Sequence, residues 1–338
     1  MIEAFASDTR LSVRDLRVEF ASNAGHVAVV DGVSVDLARA EVLAIVGESG
    51  CGKTMTALAI LGLLPQPNGR IGGGEILFGG EDLVAMGEPG LCSIRGRRIA
   101  MVFQEPMSSL NPVRTVASQI AEPLRVHLGM SRKQARGRAL ELLDRVGIAS
   151  PVAQMDAYPH EFSGGQRQRI MIAIAIACDP DILIADEPTT ALDVTIQAQV
   201  LDLLRDIQAQ SGLSVLFITH DLGIVAEFAD RVAVMYAGKI VESGPVATFF
   251  ESPAHPYTEA LLACLPDPER PAARLRAIDG RVPRAFEMPR GCRFAPRCGF
   301  RRPLCGHSEP ALFALSEARR AACFKPFDFQ APTASCDG

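Results

Sequence analysis

Three short motifs contain residues whose types and spacing suit phosphate chemistry. The segment Gly47-Glu48-Ser49-Gly50-Cys51-Gly52-Lys53-Thr54 fits the phosphate-loop (P-loop) pattern and directly follows the apolar run of residues 42–46. In this pattern glycines let backbone N–H groups turn toward phosphates. Lys53 then reaches the β- and γ-phosphates, and the Thr54 hydroxyl binds Mg²⁺. A Gly-rich turn could match by accident, but the preceding strand and the helix expected after it disfavour that reading.

The second motif is an apolar run, residues 181–185, that ends in two adjacent acids, Asp186 and Glu187. A carboxylate at a strand end can reach the shell of a bound Mg²⁺, the role we expect for Asp186. A metal site does not need the second acid, but an attacking water does. We therefore interpret Glu187 as the general base, or as the group that polarises that water. A solvated pair of strand-end acids is the alternative.

Gln104 and His220 are single polar residues that follow two further apolar runs, residues 99–103 and 215–219. Parallel sheets bind ligands at the carboxyl ends of their strands. We therefore expect Gln104 to contact Mg²⁺ or the water, and His220 to approach the γ-phosphate. Each residue alone could equally be a hydrogen-bonded loop residue. Cys51, inside the P-loop, is interpreted as a tolerated small residue in preference to a redox switch.

The third motif is Phe162-Ser163-Gly164-Gly165-Gln166, which resembles the signature sequence of ABC-type ATPases. With the other motifs it makes the whole chain similar to the ATP-binding subunit of an ABC importer of the oligopeptide/dipeptide permease family, of the dipeptide type. The remaining segments that carry the resemblance are residues 101–112, 158–161, 185–193, 219–221 and 255–258. The resemblance covers roughly residues 10 to 325.

The resemblance implies further roles for particular residues. Ser163, Gly164, Gly165 and Gln166 would bind ATP that is held by the P-loop of a second ATPase subunit. Asp193 would belong to a loop at the interface of the two subunits, and Phe20 would stack on the adenine. In members of that family, the loop that corresponds to Gln104 senses nucleotide and couples it to the membrane subunits. The residue that corresponds to His220 contacts the γ-phosphate, and the resemblance implies the same two roles here.

The order of apolar runs predicts an α/β fold. Loose alternation in the first 40 residues indicates antiparallel strands, and the later alternation of strands and helices indicates a parallel sheet covered on both faces. We expect a P-loop NTPase of the ABC ATPase type over residues 1–250, with a helical subdomain at about 106–163. Proline-rich composition after about residue 252 places a small accessory domain at 251–338, whose last dozen residues are expected to be disordered.

Composition limits the partners of the chain. Its 338 residues carry a net charge of −5 and no long Lys/Arg block, which argues against nucleic acid. The N-terminus lacks the pattern of a secretory signal. The longest apolar stretch, residues 170–178, has about half the length that a membrane-spanning helix needs. We expect a peripheral protein at the cytoplasmic face of the cell membrane. The resemblance implies two membrane-spanning permease subunits, an extracytoplasmic peptide-binding protein and a second ATPase subunit, related but not identical.

Four of the nine cysteines are clustered near the C-terminus with the spacing C-x5-C-x6-C-x17-C: Cys292, Cys298, Cys305 and Cys323. A cytosolic chain keeps thiols reduced, so metal ligation is a better reading than disulfides. Zinc sites pair cysteines about two to four residues apart, and these wider gaps favour a [4Fe–4S] cluster. Permeases of this family are described with such a cluster, and the resemblance implies the same here. Zinc and unmetallated thiols are the alternatives.

The function expected is ATP hydrolysis that energises import of di- or oligopeptides. Import of glutathione, a nickel complex or another small solute by the same type of ATPase is an alternative. A soluble ABC protein that acts on DNA or ribosomes is disfavoured by the acidic balance and the single ATPase half. A catalytically silent subunit is disfavoured by the presence of Glu187 and His220.

Overall fold

The computed structural model describes residues 8–22, 25–105, 109–190, 192–265 and 277–326. A four-stranded sheet opens the chain, with the order β2-β1-β4-β5 and antiparallel pairing throughout. Its strands are β1 (Thr9–Ser22), β2 (Gly25–Ala38), β4 (Gly69–Phe78) and β5 (Glu81–Asp82). Leu16 and Val18 are buried while Arg17 between them is exposed, as period-two alternation demands. The predicted antiparallel strands are confirmed.

A second, eight-stranded sheet has the order β11-β12-β10-β9-β3-β8-β7-β6. Its strands are β3 (Val42–Val46), β6 (Ile99–Val102), β7 (Ile182–Asp186), β8 (Ser214–Thr219), β9 (Arg231–Tyr236), β10 (Lys239–Pro245), β11 (Phe313–Ala314) and β12 (Arg320–Ala321). The five strands from β9 to β6 run parallel, and the other three pair antiparallel. Every residue of β3 and β7 is buried, because both faces of this sheet are covered.

The helices are α1 (Lys53–Ile60), α2 (Gly87–Ile94), α3 (Val116–Leu128), α4 (Arg132–Arg145), α5 (Pro151–Gln154), α6 (Gly164–Ala175), α7 (Val194–Ser211), α8 (Leu222–Phe228), α9 (Val246–Glu251) and α10 (Pro256–Leu262). Helices α3 to α5 occupy the region predicted to be helical. Ser131 caps α4 in a capping box with Gln134, and Ala139 and Leu142 lie on its buried face. The helix expected after the P-loop is α1, which begins at Lys53 and ends at Ile60.

Three apolar clusters hold these layers together. One joins α4 and α6 to one face of the parallel sheet, through Leu142 and Ile172. Another packs the antiparallel sheet and α1 against the opposite face, and includes Leu16 and Ile60. Each such side chain contributes about 1.5–3 kcal/mol by leaving water. The P-loop helix is therefore held between two sheets.

The C-terminal region packs onto the edge of the large sheet. Strand β12 pairs with β10, and the ring of Phe294 contacts Tyr236 of β9 and Tyr257 of α10. The third apolar cluster includes all three rings. The division of the chain near residue 250 stays a prediction, and many contacts cross it. No helix in the described part of the chain has both the length and the apolarity to cross a bilayer.

Glu242 is a buried anchor for this packing, and its removal should destabilise the protein. Its carboxylate, 1% exposed, accepts hydrogen bonds from the backbone N–H groups of Ala254 (2.9 Å) and His255 (2.8 Å) and from Arg319 (3.1 Å). Glu242→Ala removes the acceptor shared by these three donors, breaks a buried ion pair with Arg319 and should lower the free energy of unfolding in urea by about 3–5 kcal/mol.

The matched control is Glu287→Ala, which breaks the exposed pair with Arg281. We expect that variant to lower the free energy of unfolding by less than about 1 kcal/mol. Equal losses in the two variants would show that the Glu242 network does not anchor the C-terminal region.

Candidate nucleotide-binding site

The turn between β3 and α1 requires glycine at several positions. Gly50 and Gly52 have φ of 79° and 111°, which L side chains rarely adopt. A Cβ on Gly47 would lie 2.1 Å from the backbone oxygen of Met235, and one on Gly52 would lie 2.9 Å from that of Val29. The loop can therefore fold tightly between β2 and β9, with α1 starting at its end.

Lys53 sits at the centre of this loop, with 5% of its surface exposed. Its Nζ donates to the backbone oxygens of Gly47 (2.7 Å) and Glu48 (3.2 Å). The positive charge is thus held inside the ring of loop amides, where a phosphate would bind. Cys51 is fully buried beneath the loop, and burial raises the pKa of its thiol. A buried, protonated thiol agrees with the interpretation of Cys51 as a packing residue.

Thr54 and Asp186, the predicted Mg²⁺ ligands, contact each other. The Thr54 hydroxyl donates to Oδ1 of Asp186 at 3.3 Å. Asp186 ends β7 and is buried; burial, together with the nearby charge of Glu187, raises the pKa of its carboxyl. A buried carboxylate beside a hydroxyl is a donor set suited to a hard divalent cation, which would offset the cost of burying the charge.

Glu187 is contacted by two other predicted residues, Gln104 and His220, and by Thr190. Its Oε2 accepts hydrogen bonds from Gln104 Nε2 (3.0 Å) and Thr190 Oγ1 (2.9 Å), and its Oε1 lies 3.3 Å from His220 Nδ1. Its φ of 47° lies in the left-handed region, which is uncommon for a residue other than glycine. The backbone N–H of Glu187 donates to Ile218 of β8, which holds the turn in place.

Gln104, Glu187 and His220 share one cavity of 600 Å³ with the P-loop, whereas Asp186 and Thr190 are not among the residues that line it. The residues that line it are Val29, Glu48, Ser49, Gly50, Gly52, Lys53, Thr54, Met55, Gln104, Glu187 and His220. The cavity thus joins the P-loop to the carboxyl ends of β6, β7 and β8. The sequence did not single out Thr190, although this residue lies in the 185–193 segment. It did not indicate Val29 and Met55 either, because they belong to no motif.

The signature residues lie on other elements and are not among those that line the cavity. Ser163 is exposed and caps α6 in a capping box with Gln166. Gly164 is exposed, and a Cβ on Gly165 would lie 2.5 Å from Cγ2 of Ile196 in α7. The structure therefore presents the N-terminus of a 12-residue helix, free of bulky side chains, at the surface. A helix N-terminus of this kind favours the binding of anions.

Asp193 and Phe20 also lie apart from the cavity lining. Asp193 is exposed and caps α7 by accepting from the N–H of Ile196 at 2.9 Å. Phe20 pairs with Val27 and Gly69 near the end of β1 and is partly buried. Their roles in ATP binding stay predictions.

The four clustered cysteines are brought to one cavity of 240 Å³, although the chain separates them by up to 31 residues. Burial, and to a lesser degree the neighbouring Cys305 and Cys323, raise the pKa of the Cys292 thiol to about 11. The thiols do not converge on one point: within the described ranges, no three His, Cys, Asp or Glu side chains are placed to hold a single metal ion. Cys336 and the last dozen residues lie outside the described ranges.

Two family models match this chain. A model described as ABC transporter matches residues 30–190, which include the P-loop, the signature and the acids that end β7. A model described as oligopeptide/dipeptide transporter, C-terminal region, matches residues 241–305, which include α10 and three of the clustered cysteines.

Relatives cover nearly the whole chain. A protein of Brucella abortus (strain 2308) that bears the name of a peptide import ATP-binding protein is 51% identical over 313 residues, 93% of this chain and 94% of the relative. The dipeptide transport ATP-binding protein DppD of Bacillus subtilis (strain 168) is 50% identical over 314 residues, again 93% and 94%.

Solved ABC proteins share the fold. The ATP-binding cassette MJ0796, in a dimeric post-hydrolysis state with ADP and Pi, superposes with a TM-score of 0.63 at 27% identity, covering 70% of this chain and 98% of that one. The cbiO1 protein of Clostridium perfringens, part of the ABC transporter complex cbiONQ, gives 0.62 at 28% identity, with 72% and 91% covered. With its two matching models and its full-length relatives, the chain belongs to the ABC transporter family, among the ATP-binding subunits of oligopeptide/dipeptide transporters.

Proposed function

We propose that this chain hydrolyses ATP to energise the import of di- or oligopeptides across the cell membrane. The observation that carries the chemistry is the cavity in which Glu187, Gln104 and His220 face the P-loop. The peptide cargo is supported by the names of the relatives and by the match of the C-terminal region. Because an ATPase subunit does not touch the cargo, glutathione or a nickel complex stays an alternative, decided by the ligand of the partner binding protein.

In this proposal, each site residue has a distinct task. The loop amides and Lys53 bind the β- and γ-phosphates. Thr54 and Asp186 would hold Mg²⁺, which would supply positive charge to offset that of the phosphates. Gln104 and Thr190 hold the Glu187 carboxylate, so that its free lone pairs can accept a proton from the attacking water. His220, beside Glu187, contacts the γ-phosphate.

The proposal requires a second ATPase subunit, because the signature lies outside the cavity of its own chain. The exposed N-terminus of α6 at Ser163 would close on ATP bound to the partner, and Asp193 would cross the interface. The dimeric cassette MJ0796 supports this arrangement. We propose a related, non-identical partner chain. ATP would then join the two subunits and hydrolysis would release them, giving the two states that alternating access needs.

Glu187→Gln should separate hydrolysis from binding. The amide keeps the shape of the side chain but cannot accept the proton of the attacking water, so we expect kcat to fall by at least about 100-fold. Binding of a fluorescent ATP analogue should persist, because the P-loop is unchanged. The measurement is steady-state phosphate release beside nucleotide titration. Glu251→Gln, an exposed acid on α9, is the control. Undiminished turnover in Glu187→Gln would remove Glu187 from the mechanism.

A groove beside the cavity is the surface we propose for docking a permease subunit. Its volume is 540 Å³, and it is lined by α3, β6 and the segment before Gln104. Three large apolar side chains there are open to solvent: Leu63 at 39%, Phe103 at 38% and Val126 at 70% exposure. Because Phe103 adjoins Gln104, a partner in this groove would lie one residue from the group that contacts Glu187. This location supports the role that the family resemblance implies for this loop, which is to couple nucleotide to the membrane subunits.

Val126→Asp should uncouple the chain from its permease. A charge in the apolar groove opposes burial against a partner, so we expect weaker co-purification with the permease subunits and loss of transport-stimulated ATPase activity. Basal ATP binding should stay unchanged. Val152→Asp on α5, 71% exposed and outside the groove, is the matched control. If both variants, or neither, weaken the association, the groove is not the docking surface.

We propose that Cys292, Cys298, Cys305 and Cys323 hold a [4Fe–4S] cluster. Four thiols line one cavity, and their number suits such a cluster because each of its irons takes one cysteine. Coordination would also deprotonate thiols whose burial otherwise keeps them neutral, as it does at Cys292. Zinc and unmetallated thiols are the alternatives.

Metal analysis of anaerobically purified protein tests this proposal. We expect about four irons and matching sulfide per chain, with a broad visible absorption band. Cys305→Ser should lower the iron content and bleach the band, whereas Cys92→Ser, at an exposed site outside the cavity, should not. Stoichiometric zinc without sulfide would establish the alternative, and a metal-free chain would contradict both.

A further inference from the structure

Arg297 links the C-terminal region to the P-loop. Its guanidinium donates to both carboxylate oxygens of Glu48, at 2.8 and 3.1 Å, and its side chain is only 4% exposed. It also donates to the backbone oxygens of Ile278 and Asp279, at 3.1 and 2.8 Å. Glu48 is the second residue of the P-loop and lines the nucleotide cavity. A residue 249 positions away therefore grips the loop by a bidentate pair.

Tyr257 holds the backbone of the same loop residue. Its hydroxyl accepts a hydrogen bond from the N–H of Glu48 at 3.0 Å. The side chain is fully buried between the rings of Tyr236 and Phe294, and burial raises the pKa of Tyr257 well above its usual range. The side chain and the N–H of Glu48 are thus both fixed from outside the P-loop.

The ion pair matters for phosphate binding in two ways. First, it removes the freedom of Glu48 to rotate, which keeps the backbone oxygens of Gly47 and Glu48 turned toward Nζ of Lys53. Second, it neutralises a carboxylate that lines a site for a highly charged anion. Without the guanidinium, that negative charge would repel the phosphates across a partly desolvated cavity.

We propose that Arg297 is a positioning residue for the P-loop, assisted by Tyr257, and that the C-terminal region thereby sets the affinity for ATP. The inference rests on the proposed function, because it assumes that ATP binds at this loop. Arg297 acts through Glu48 and does not touch the nucleotide. Its loss should accordingly change KM and leave kcat nearly unaltered.

The test is steady-state hydrolysis by the purified full-length chain, with titration of a fluorescent ATP analogue. For Arg297→Gln we expect KM and Kd to rise about tenfold, with kcat changed less than about twofold. Arg297→Lys keeps the charge but not the bidentate geometry, and should recover part of the affinity. Tyr257→Phe, which keeps the ring and loses the acceptor, provides a second, milder variant in which KM should rise about threefold.

A double-variant cycle distinguishes positioning from general stability. If Arg297 acts through Glu48, then Arg297→Gln should have no further effect on KM in a Glu48→Gln background. Arg293→Gln is the matched structural control: it breaks another partly buried ion pair of the same segment, with Asp31, and should lower the melting temperature without raising KM.

Two results would overturn the inference alone. The first is that Arg297→Gln binds ATP as tightly as the wild-type chain does. The second is that Arg297→Gln raises KM in the Glu48→Gln background by as much as it does in the wild-type chain. A wild-type chain that binds no ATP would overturn the proposed function and, with it, this inference.

Discussion

The adjacency of four parallel strands is the constraint on which the rest of the site depends. Strands β3, β8, β7 and β6 are neighbours in the sheet, so their carboxyl ends open on one edge. Lys53, His220, Glu187 and Gln104 follow those four ends in the same spatial order. Backbone pairing thus places groups that are up to 167 residues apart in sequence within one cavity, before any side-chain contact forms.

Local patterns were sufficient to predict this part of the molecule. Each of three segments is only a few residues long and is enough to indicate its own structure: the P-loop motif, the apolar run before it and the acids that end β7. This is possible because the conformation of a glycine and the burial of a strand depend on neighbouring residues. The start of α4 is local in the same sense, because the capping box joins Ser131 to Gln134 three residues later. Gln104, His220 and Glu187 were expected at one edge of the sheet by one topological rule, and the structure places both other residues within 3.3 Å of the Glu187 carboxylate. Their roles in catalysis stay predictions.

Other features depend on contacts that leave no local trace. The left-handed backbone of Glu187 is stabilised by Ile218 on a neighbouring strand, and nothing in the 185–193 segment marks it. The pairing of β12 with β10 involves only two residues of β12, too few for a periodic pattern. In the sequence, Arg297 is one of several arginines near the clustered cysteines, and nothing in that segment indicates its partner. Its partner could be identified only once the sheet edge had brought the P-loop beside it.

These long-range contacts give the cysteine region a physical route to the P-loop. Arg297 directly precedes Cys298, so a group that binds this thiol also fixes the backbone that carries the guanidinium. A parallel route starts beside Cys323, since the ring of His255 contacts the backbone of Ala322 and accepts from the N–H of Tyr257 at 3.0 Å. Burial lowers the pKa of His255 to about 3, so this contact keeps a neutral ring across the physiological range. Both routes end on Glu48, one at its carboxylate and one at its amide, which makes the geometry of a single loop residue depend on the packing of the whole C-terminal region.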